Sequence, residues 1–344
     1  MMRHPRPLAG MLSGLVIVVI AIAAACGGDD LDTSSFPTPS PAATAPVTVE
    51  PSPEAEPPKE FRVAFLNLFS PLTLDANNKV ASDTFEERLE LVIREMKGFA
   101  PDIIGFNEAS VTKEHGSAVV KLARELKMEP LYFRANPWLP GQSKEQSDAL
   151  VKQVGFEEGE LILVRTSRYP VVGDKTQQLV LNPRTTEAGE RRVALHVVVK
   201  GPGQLGEIDI FIAHFTGGGD STRRLQVADF AVQIANNRGS GPTIVLSGQS
   251  DPGGTSVYDL YSAIELHDVG GKGPLVTCCR ESVLGSQPPM KSRSDYLMAA
   301  RWAPVSFQVI GNTPTIRADG TTLYMSDHNG LAATFAVPEA VAAP

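Results

Sequence analysis

The stretch that bears most directly on the fold reads Pro101-Asp102-Ile103-Ile104-Gly105-Phe106-Asn107-Glu108. Residues 102–107 form a short apolar run, which is typical of a buried β-strand. The strand would present Glu108 at its C-terminal end. A carboxylate in that position is either a solvated strand-end residue or a ligand for a hard cation such as Mg²⁺.

Short strands alternate with amphipathic helices on both sides of this octapeptide. The predicted strands cover residues 61–69, 131–133, 160–164, 169–181, 191–200, 208–215, 243–247 and 331–337, and the predicted helices cover 82–99, 116–128, 221–237 and 256–266. Residues 141–155 read as a polar loop, and residues 201–203 indicate a hairpin. The pattern predicts an α/β protein in which two packed, mainly antiparallel sheets are flanked by helices.

The N-terminal 60 residues do not fit a folded domain. Residues 1–25 have a cationic start at Arg3 and Arg6 and an apolar run that ends before Cys26, Gly27 and Gly28. This pattern predicts a signal peptide with a lipobox-like site, after which Cys26 would be lipidated; the alternative is an uncleaved membrane helix. Both place the remainder outside the cytoplasmic membrane of a bacterial cell.

Residues 26–60 would form a disordered tether rich in Pro, Ser and Thr, ahead of a single domain at 61–337. The formal net charge of −8 and the lack of a basic stripe do not support tight non-specific binding of nucleic acid. Nucleic acid remains a possible substrate, because a cation in an acidic cleft supplies the positive charge that a phosphate needs.

Three cysteines occur in the 344 residues. With Cys26 assigned to lipid, Cys278 and Cys279 remain as neighbours, and such neighbours bridge each other only with strained geometry. A metal site at this pair would need two further ligands nearby.

A second polar cluster lies at Ser326-Asp327-His328, just before the last predicted strand. Cleavage of a phosphodiester requires a carboxylate for a metal and an imidazole that moves protons near neutral pH. The triplet supplies both groups at the mouth of a strand.

Five fragments now resemble motifs of one superfamily. They are Phe65-Leu66-Asn67; residues 101–108; residues 158–165 with 168–171; Ala213-His214-Phe215; and Arg293-Ser294-Asp295-Tyr296 together with Ser326-Asp327-His328. They are similar, in the same order, to the opening strand, "PDIIGLQE", "GNAILSRYPI", "THL", "RIDY" and "SDH" of the endonuclease/exonuclease/phosphatase superfamily. The resemblance implies the deoxyribonuclease I-like four-layer sandwich and a metal-dependent phosphoesterase.

The resemblance also implies residue roles. Glu108 would ligate a divalent metal, Mg²⁺ first and Mn²⁺ or Ca²⁺ as alternatives. Asp327 would either ligate the metal or contact the phosphate side, while Asn67 would support the carboxylate or the phosphate. His214 and His328 would be catalytic. Asp295 would orient His328, and Glu158 would orient His214.

One motif departs from the superfamily pattern. The family's "GDFN" reads Gly248-Gln249-Ser250-Asp251 here, so an amide and a carboxylate have exchanged places. An active enzyme would use Gln249 and Asp251 in the exchanged positions. A decayed member would instead act as an extracytoplasmic binding lipoprotein.

We expect a monomer that acts on a phosphate ester and meets the membrane only through its lipid anchor. Residues 142–155 and 270–290 carry no pattern that identifies the substrate.

Overall fold

The computed structural model of the protein describes residues 58–71, 81–138, 143–184, 191–217, 220–248, 255–271 and 275–338. All of them belong to one unit, Pro57–Pro344. The predicted signal peptide and most of the predicted tether lie outside the described residues, as do Gln249 and Asp251. In the segments described, no helix combines the length and the apolar character needed to cross a membrane.

Fifteen strands and five α-helices are present in the described part of the chain. The strands are Glu60–Asn67 (β1), Ile103–Thr112 (β2), Gly116–Ser117 (β3), Glu129–Asn136 (β4), Phe156–Val164 (β5), Gln177–Val180 (β6), Val193–Lys200 (β7), Glu207–His214 (β8), Thr243–Gly248 (β9), His267–Asp268 (β10), Asp295–Ala300 (β11), Pro304–Ile310 (β12), Thr315–Ile316 (β13), Thr322–Leu323 (β14) and Gly330–Ala336 (β15). The helices are Phe85–Phe99 (α1), Ala118–Leu126 (α2), Lys144–Val154 (α3), Asp220–Asn237 (α4) and Thr255–Ala263 (α5).

Two sheets carry most of these strands. The first has the order β12-β15-β1-β2-β5-β4, with β3 paired to β2, and the second has the order β10-β11-β9-β8-β7-β6. The pairs β1–β2 and β8–β9 are parallel, and the other pairs of the two sheets are antiparallel. Each sheet therefore has one parallel step in an antiparallel arrangement.

Alternation along the strands divides the core into layers. In β1, Val63 and Phe65 face a cluster shared with the second sheet, while Ala64 and Leu66 face a cluster shared with α1 and α2. On the far side, the second sheet packs against α4 and α5. Because successive side chains of a strand point to opposite faces, one strand serves two layers. The order is helix, sheet, sheet, helix, which confirms the predicted fold class.

Gly105 allows the two sheets to approach closely at the centre of the molecule. A Cβ at this position would lie 2.4 Å from Cδ1 of Leu246 and 3.0 Å from Cδ1 of Ile212, both on the second sheet. Interiors pack too densely to accept an added methyl group at such distances. The glycine in the fold-determining octapeptide is thus a packing requirement.

Three local expectations were wrong. The predicted polar loop at 141–155 contains helix α3, which begins with a capping box formed by Ser143 and Gln146 and buries only Ser147, so it offers no apolar stripe. The predicted strand at 169–181 is reduced to β6, because a short helix at Gly173–Lys175 interrupts it. Strand β2 does not end before Glu108 but continues to Thr112 through a β-bulge.

Candidate active site

The predicted site residues meet at one edge of the two stacked sheets. The ends of β1 and β8 carry Asn67 and His214 to this edge. Strand β11 runs antiparallel to β9, and β15 antiparallel to β1, so the starts of β11 and β15 lie there as well. These starts bring Asp295 and the Ser326-Asp327-His328 loop to the same edge.

Glu108 is directed into the site by the bulge in β2. Its backbone has a φ of 55°, and the pairing of β2 with β5 shifts register between Phe106 and Ala109. Bulges of this kind re-aim side chains. The carboxylate accepts hydrogen bonds from Nδ2 of Asn67 at 3.0 Å and from the backbone N–H of Ser70 at 2.7 Å.

The carboxylate of Glu108 is held in its charged form. Burial alone would raise its pKa, but the charge that His214 carries when protonated, the Ser70 N–H and the Asn67 amide outweigh burial and lower the pKa. Asn67 itself is buried, and its amide oxygen accepts from the backbone N–H of Phe69 at 2.8 Å. Asn67 therefore orients the carboxylate, the supporting role expected from the sequence.

Asp327 is the second carboxylate of the site. Burial raises its pKa to about 6, with His328 opposing the increase and Glu108 adding to it by repulsion. The buried Arg88 lies beneath both carboxylates, donates to the carbonyl oxygens of Leu68 and Phe69 at 2.7 and 3.0 Å, and offsets part of this repulsion.

These donors fit a hard divalent cation. Two partly buried carboxylates that repel each other are stabilised by a cation between them. The hydroxyl oxygen of Ser70, next to Glu108, is buried and has no hydrogen-bond partner within the described segments. Oxygen donors of this type match Mg²⁺, Mn²⁺ and Ca²⁺.

His328 is held as an imidazolium. Its Nδ1 lies 2.7 Å from Oδ2 of Asp295 and 3.2 Å from Oγ of Ser294. Burial alone would lower its pKa, but Asp295, Asp327 and Glu108 raise it to about 10. The predicted pairing of Asp295 with His328 is thus present in the structure, and Nε2 is the nitrogen left for the site.

The pKa of His214 is shifted in the opposite direction from that of His328. Burial, and then the positive charge of Arg192, lower its pKa to about 4 although Glu108 opposes them. Nη1 of Arg192 lies 3.3 Å from Nδ1 of His214. A guanidinium only donates, so Nδ1 accepts and the neutral ring carries its proton on Nε2.

Glu158 is not the group beside His214, contrary to the sequence-based assignment. The groups at Nδ1 of His214 are Arg192 and, at 4.0 Å, Oε1 of Glu108. Glu158 lies beyond the bulge of β2, opposite Ser110 and Asn136. This placement follows from the bulge, which separates the two ends of the β2–β5 ladder.

The neighbouring Glu160 is the buried acid of this strand. It accepts a hydrogen bond from Nδ2 of Asn107. Burial raises its pKa to about 8, while the Asn107 amide and Arg192 lower it. The β2–β5 strand pair thus holds, near His214, the carboxyl group of Glu160, whose raised pKa disfavours ionisation.

Gly248 ends β9 and opens the segment that holds the altered motif. A Cβ there would lie 2.6 Å from Oδ1 of Asn107 and 3.0 Å from Cδ2 of His214, so a larger residue would require the Asn107 side chain to shift. Gln249 and Asp251 follow directly, outside the described residues, and their roles stay predictions.

Sequence analysis missed three arginines that shape the site: Arg88, Arg192 and Arg280. Arg280 holds the Ser326-Asp327-His328 loop, because its Nη1 donates to the carbonyl oxygens of Ser326 and His328, both at 3.0 Å. An arginine within an apolar stripe, as Arg88 is in α1, was the one available signal. Arg192 and Arg280 carry no local signal of this kind.

Comparisons of sequence identify no relatives: no protein-family model matches the chain, and no curated protein matches it. Comparison of structure finds solved proteins with a similar fold. An endonuclease/exonuclease/phosphatase family protein from Bacteroides thetaiotaomicron aligns with a TM-score of 0.62 and 15% identity, over 81% of this chain and 98% of that one. A mannosyl-6-phosphatase from Bacteroides thetaiotaomicron VPI-5482 aligns with a TM-score of 0.61 and 17% identity, over 80% and 100%.

TDP2 of D. rerio, in a complex with a single-strand DNA product, aligns with a TM-score of 0.57 and 15% identity over 81% of this chain and 100% of that chain. At these identities the alignments report architecture. The layers, the sheet order and the alignments together show that this chain has the endonuclease/exonuclease/phosphatase fold.

Proposed function

We propose that this protein is a divalent-metal-dependent phosphoesterase. The observation that supports this most is the placement of two histidines with opposite proton affinities, His214 and His328, around two partly buried carboxylates at one sheet edge. Titratable groups whose environments separate their pKa values in this way are typical of acid–base catalysis.

Glu108 and Asp327 would hold the metal, which would supply charge stabilisation at the phosphate when bound. His328 enters the reaction as an imidazolium, so its Nε2–H donates to a phosphate oxygen or to the leaving oxygen. His214 donates through the Nε2–H of a neutral ring. Both histidines therefore stabilise negative charge, and the group that takes a proton from the attacking water must be another one.

Asp251 is the residue that we propose for this proton transfer. The sequence places it three residues after Gly248, whose backbone lies against His214 and Asn107. Gln249, which stands where the superfamily has its Asp, cannot accept a proton. The carboxylate at 251 restores to this segment the base that the exchange removed from 249.

The remaining features of the proposal come from the sequence. Cys26 would carry a lipid that anchors a monomeric domain outside the cytoplasmic membrane, with residues 26–60 as the tether. Mg²⁺ would be the metal. Since two structural neighbours are described as a mannosyl-6-phosphatase and as a complex with a DNA product, sugar phosphates and single-stranded DNA are the first substrates to test alongside an aryl phosphodiester.

The test measures turnover of these substrates by the full-length protein with Mg²⁺ or Mn²⁺. Chelation and each of Glu108→Gln, His328→Ala and Asp251→Asn should lower the rate by roughly 10²–10⁴-fold, the range for loss of an acid–base group. Exposed residues provide matched controls: Glu129→Gln, His267→Ala and Asp259→Asn should leave the rate unchanged.

The second candidate, a binding lipoprotein with a decayed site, is favoured by Gln249. It predicts no turnover by the native protein and a gain of turnover in Gln249→Asp/Asp251→Asn, which restores the superfamily order. If the native protein is inactive on every substrate with either metal, the enzyme proposal is wrong. If the double variant lowers a measurable native rate, the decayed-site candidate is excluded.

A further inference from the structure

Two neighbouring cysteines lie against the candidate active site. Cys278 is buried, Cys279 is exposed, and the structure joins their sulfurs in a disulfide. The backbone of Cys278 pairs with Ser292: its N–H donates to the Ser292 carbonyl at 3.1 Å, and its own carbonyl accepts from the Ser292 N–H at 3.2 Å. This backbone pairing fixes the position of the main chain at Cys278.

The sulfurs face the free nitrogen of His328. Sγ of Cys279 lies 3.5 Å from Nε2 of His328, and the two sulfurs and one imidazole nitrogen all lie within 4.8 Å of one another. Since Asp295 and Ser294 contact Nδ1, Nε2 is the nitrogen available to a ligand.

The segment that carries the cysteines is tied to the loop that carries His328. The backbone N–H of Arg280 donates to the carbonyl of Asp327 at 2.8 Å, and the N–H of Asn329 donates to the carbonyl of Thr277 at 2.8 Å. These two bonds flank the cysteine pair on one side and His328 on the other. The two segments that carry the three candidate ligands are therefore held together by backbone contacts.

We propose that Cys278, Cys279 and His328 form, when the cysteines are reduced, a binding site for a soft divalent cation of the zinc class. A dithiol reductant gives two electrons and two protons to the disulfide, which yields two thiols and the oxidised reductant. Each thiol then loses its proton as it binds the cation, and His328 gives up the proton on its Nε2 to solvent. The donor set is two sulfurs and one nitrogen.

The chemistry of these donors separates this site from the proposed Mg²⁺ site. Thiolates and imidazole select zinc, whereas the carboxylates of Glu108 and Asp327 select hard cations. A histidine that binds zinc usually donates its other ring N–H to a carboxylate, and His328 has this arrangement through Asp295. Oδ1 of Asp327 lies 4.0 Å from Nε2 and is assigned to the Mg²⁺ site, so a water would be the fourth ligand of the zinc.

Occupation of this site has a consequence that rests on the proposed function. A cation on Nε2 removes the proton that His328 would donate to the phosphate, so zinc would inhibit the reduced protein. The oxidised protein, which has no thiolates, would be insensitive at the same zinc concentration. The cysteine pair would thereby connect the redox state of the surroundings to the activity of the site.

The binding test uses the full chain with Cys26→Ser, reduced with a phosphine or left oxidised, and titrated with Zn²⁺ against a chromogenic chelator. We expect one Zn²⁺ per reduced chain, with affinity lower by at least about tenfold in the oxidised chain, in Cys278→Ser/Cys279→Ser and in His328→Gln. Substitution with Co²⁺ should give a sulfur-to-metal charge-transfer band only in the reduced chain. Melting curves confirm that each variant is folded.

Two results would overturn the proposal: equal zinc affinity in the reduced chain and the double cysteine variant, or a Co²⁺ spectrum without the sulfur band. Neither measurement requires turnover, so the zinc site and the phosphoesterase proposal fail independently. Glu108→Gln is the matched control for the separate sites, and it should retain zinc affinity. Loss of zinc binding in Glu108→Gln would assign the ion to the carboxylates instead.

Discussion

Replacing Asp295 with Asn should release the proton that His328 holds. The pKa of His328 rises from its ordinary 6.5 to about 10 although burial lowers it, and Asp295, 2.7 Å from Nδ1, contributes most to the increase. A single close carboxylate accounts for about 1–3 pKa units. We therefore expect Asp295→Asn to lower the pKa of His328 by about two units or more, which corresponds to roughly 3 kcal/mol.

The measurement is an NMR titration of the His328 ring in chelator-treated protein, with the signal assigned by its loss in His328→Gln. Asp209→Asn is the matched control, because Asp209 lies 2.8 Å from Nε2 of the buried His196, away from the site. This control should leave the His328 titration unchanged. A His328 that titrates near 6.5 in the native protein, or one that Asp295→Asn does not affect, would refute the reasoning.

The same ion pair gives stability a defined pH dependence. Because the folded-state pKa of His328 lies above the unfolded value, its contribution is complete below pH 6.5 and is lost as pH rises through about 10. Urea unfolding of chelated protein should show this loss in the native chain but not in His328→Gln.

Three further predictions concern the surroundings of the site. Glu160→Gln should stabilise the protein by about 1–3 kcal/mol above pH 8 and hardly at all near pH 4.5, because burial raises the pKa of Glu160 to about 8. The measurement compares the urea midpoints of the native protein and the variant at the two pH values. An equal stabilisation at both pH values would contradict the prediction. Arg192→Met should raise the pKa of His214 from about 4 towards, but not above, 6.5, because burial of the ring still lowers the pKa. An NMR titration of His214 that shows no increase would contradict the contact between Arg192 and His214. Gly105→Ala should lower the free energy of unfolding by about 1–3 kcal/mol through contact with Leu246. Gly98→Ala in α1, which has open space around it, should instead raise the free energy of unfolding by up to about 1 kcal/mol. Thermal melts that rank the two variants in the opposite order would refute the packing argument.

Most of the fold could be read from the sequence because buried strands and amphipathic helices impose distinct periods. The start of strand β2 and both ends of helix α1 were placed within a few residues for this reason. Helix α3 was missed because it buries only Ser147, so its sequence has no apolar period. Its start is set by a polar capping box, which is a weaker signal than a stripe.

Sequence analysis also named part of the candidate site, and its errors there have a different cause. Glu108, Asp295 and His328 belong to short motifs in which the chemistry of each residue is visible next to an apolar strand. The partner of His214 was not predictable, because Arg192 reaches it from a neighbouring strand and the β2 bulge displaces Glu158. Nothing in the local sequence encodes either event.

The sequence by itself determined which side chains can bind a cation or move a proton, and in which order the strands and helices that carry them occur. Only the tertiary structure decided their protonation. Burial and neighbouring charge push His214 and His328 in opposite directions, and these are properties of contacts between residues far apart in the chain. The approach of Cys279 to His328 is of the same kind, since 49 residues separate the two and only the packing of their loops at the sheet edge brings them together.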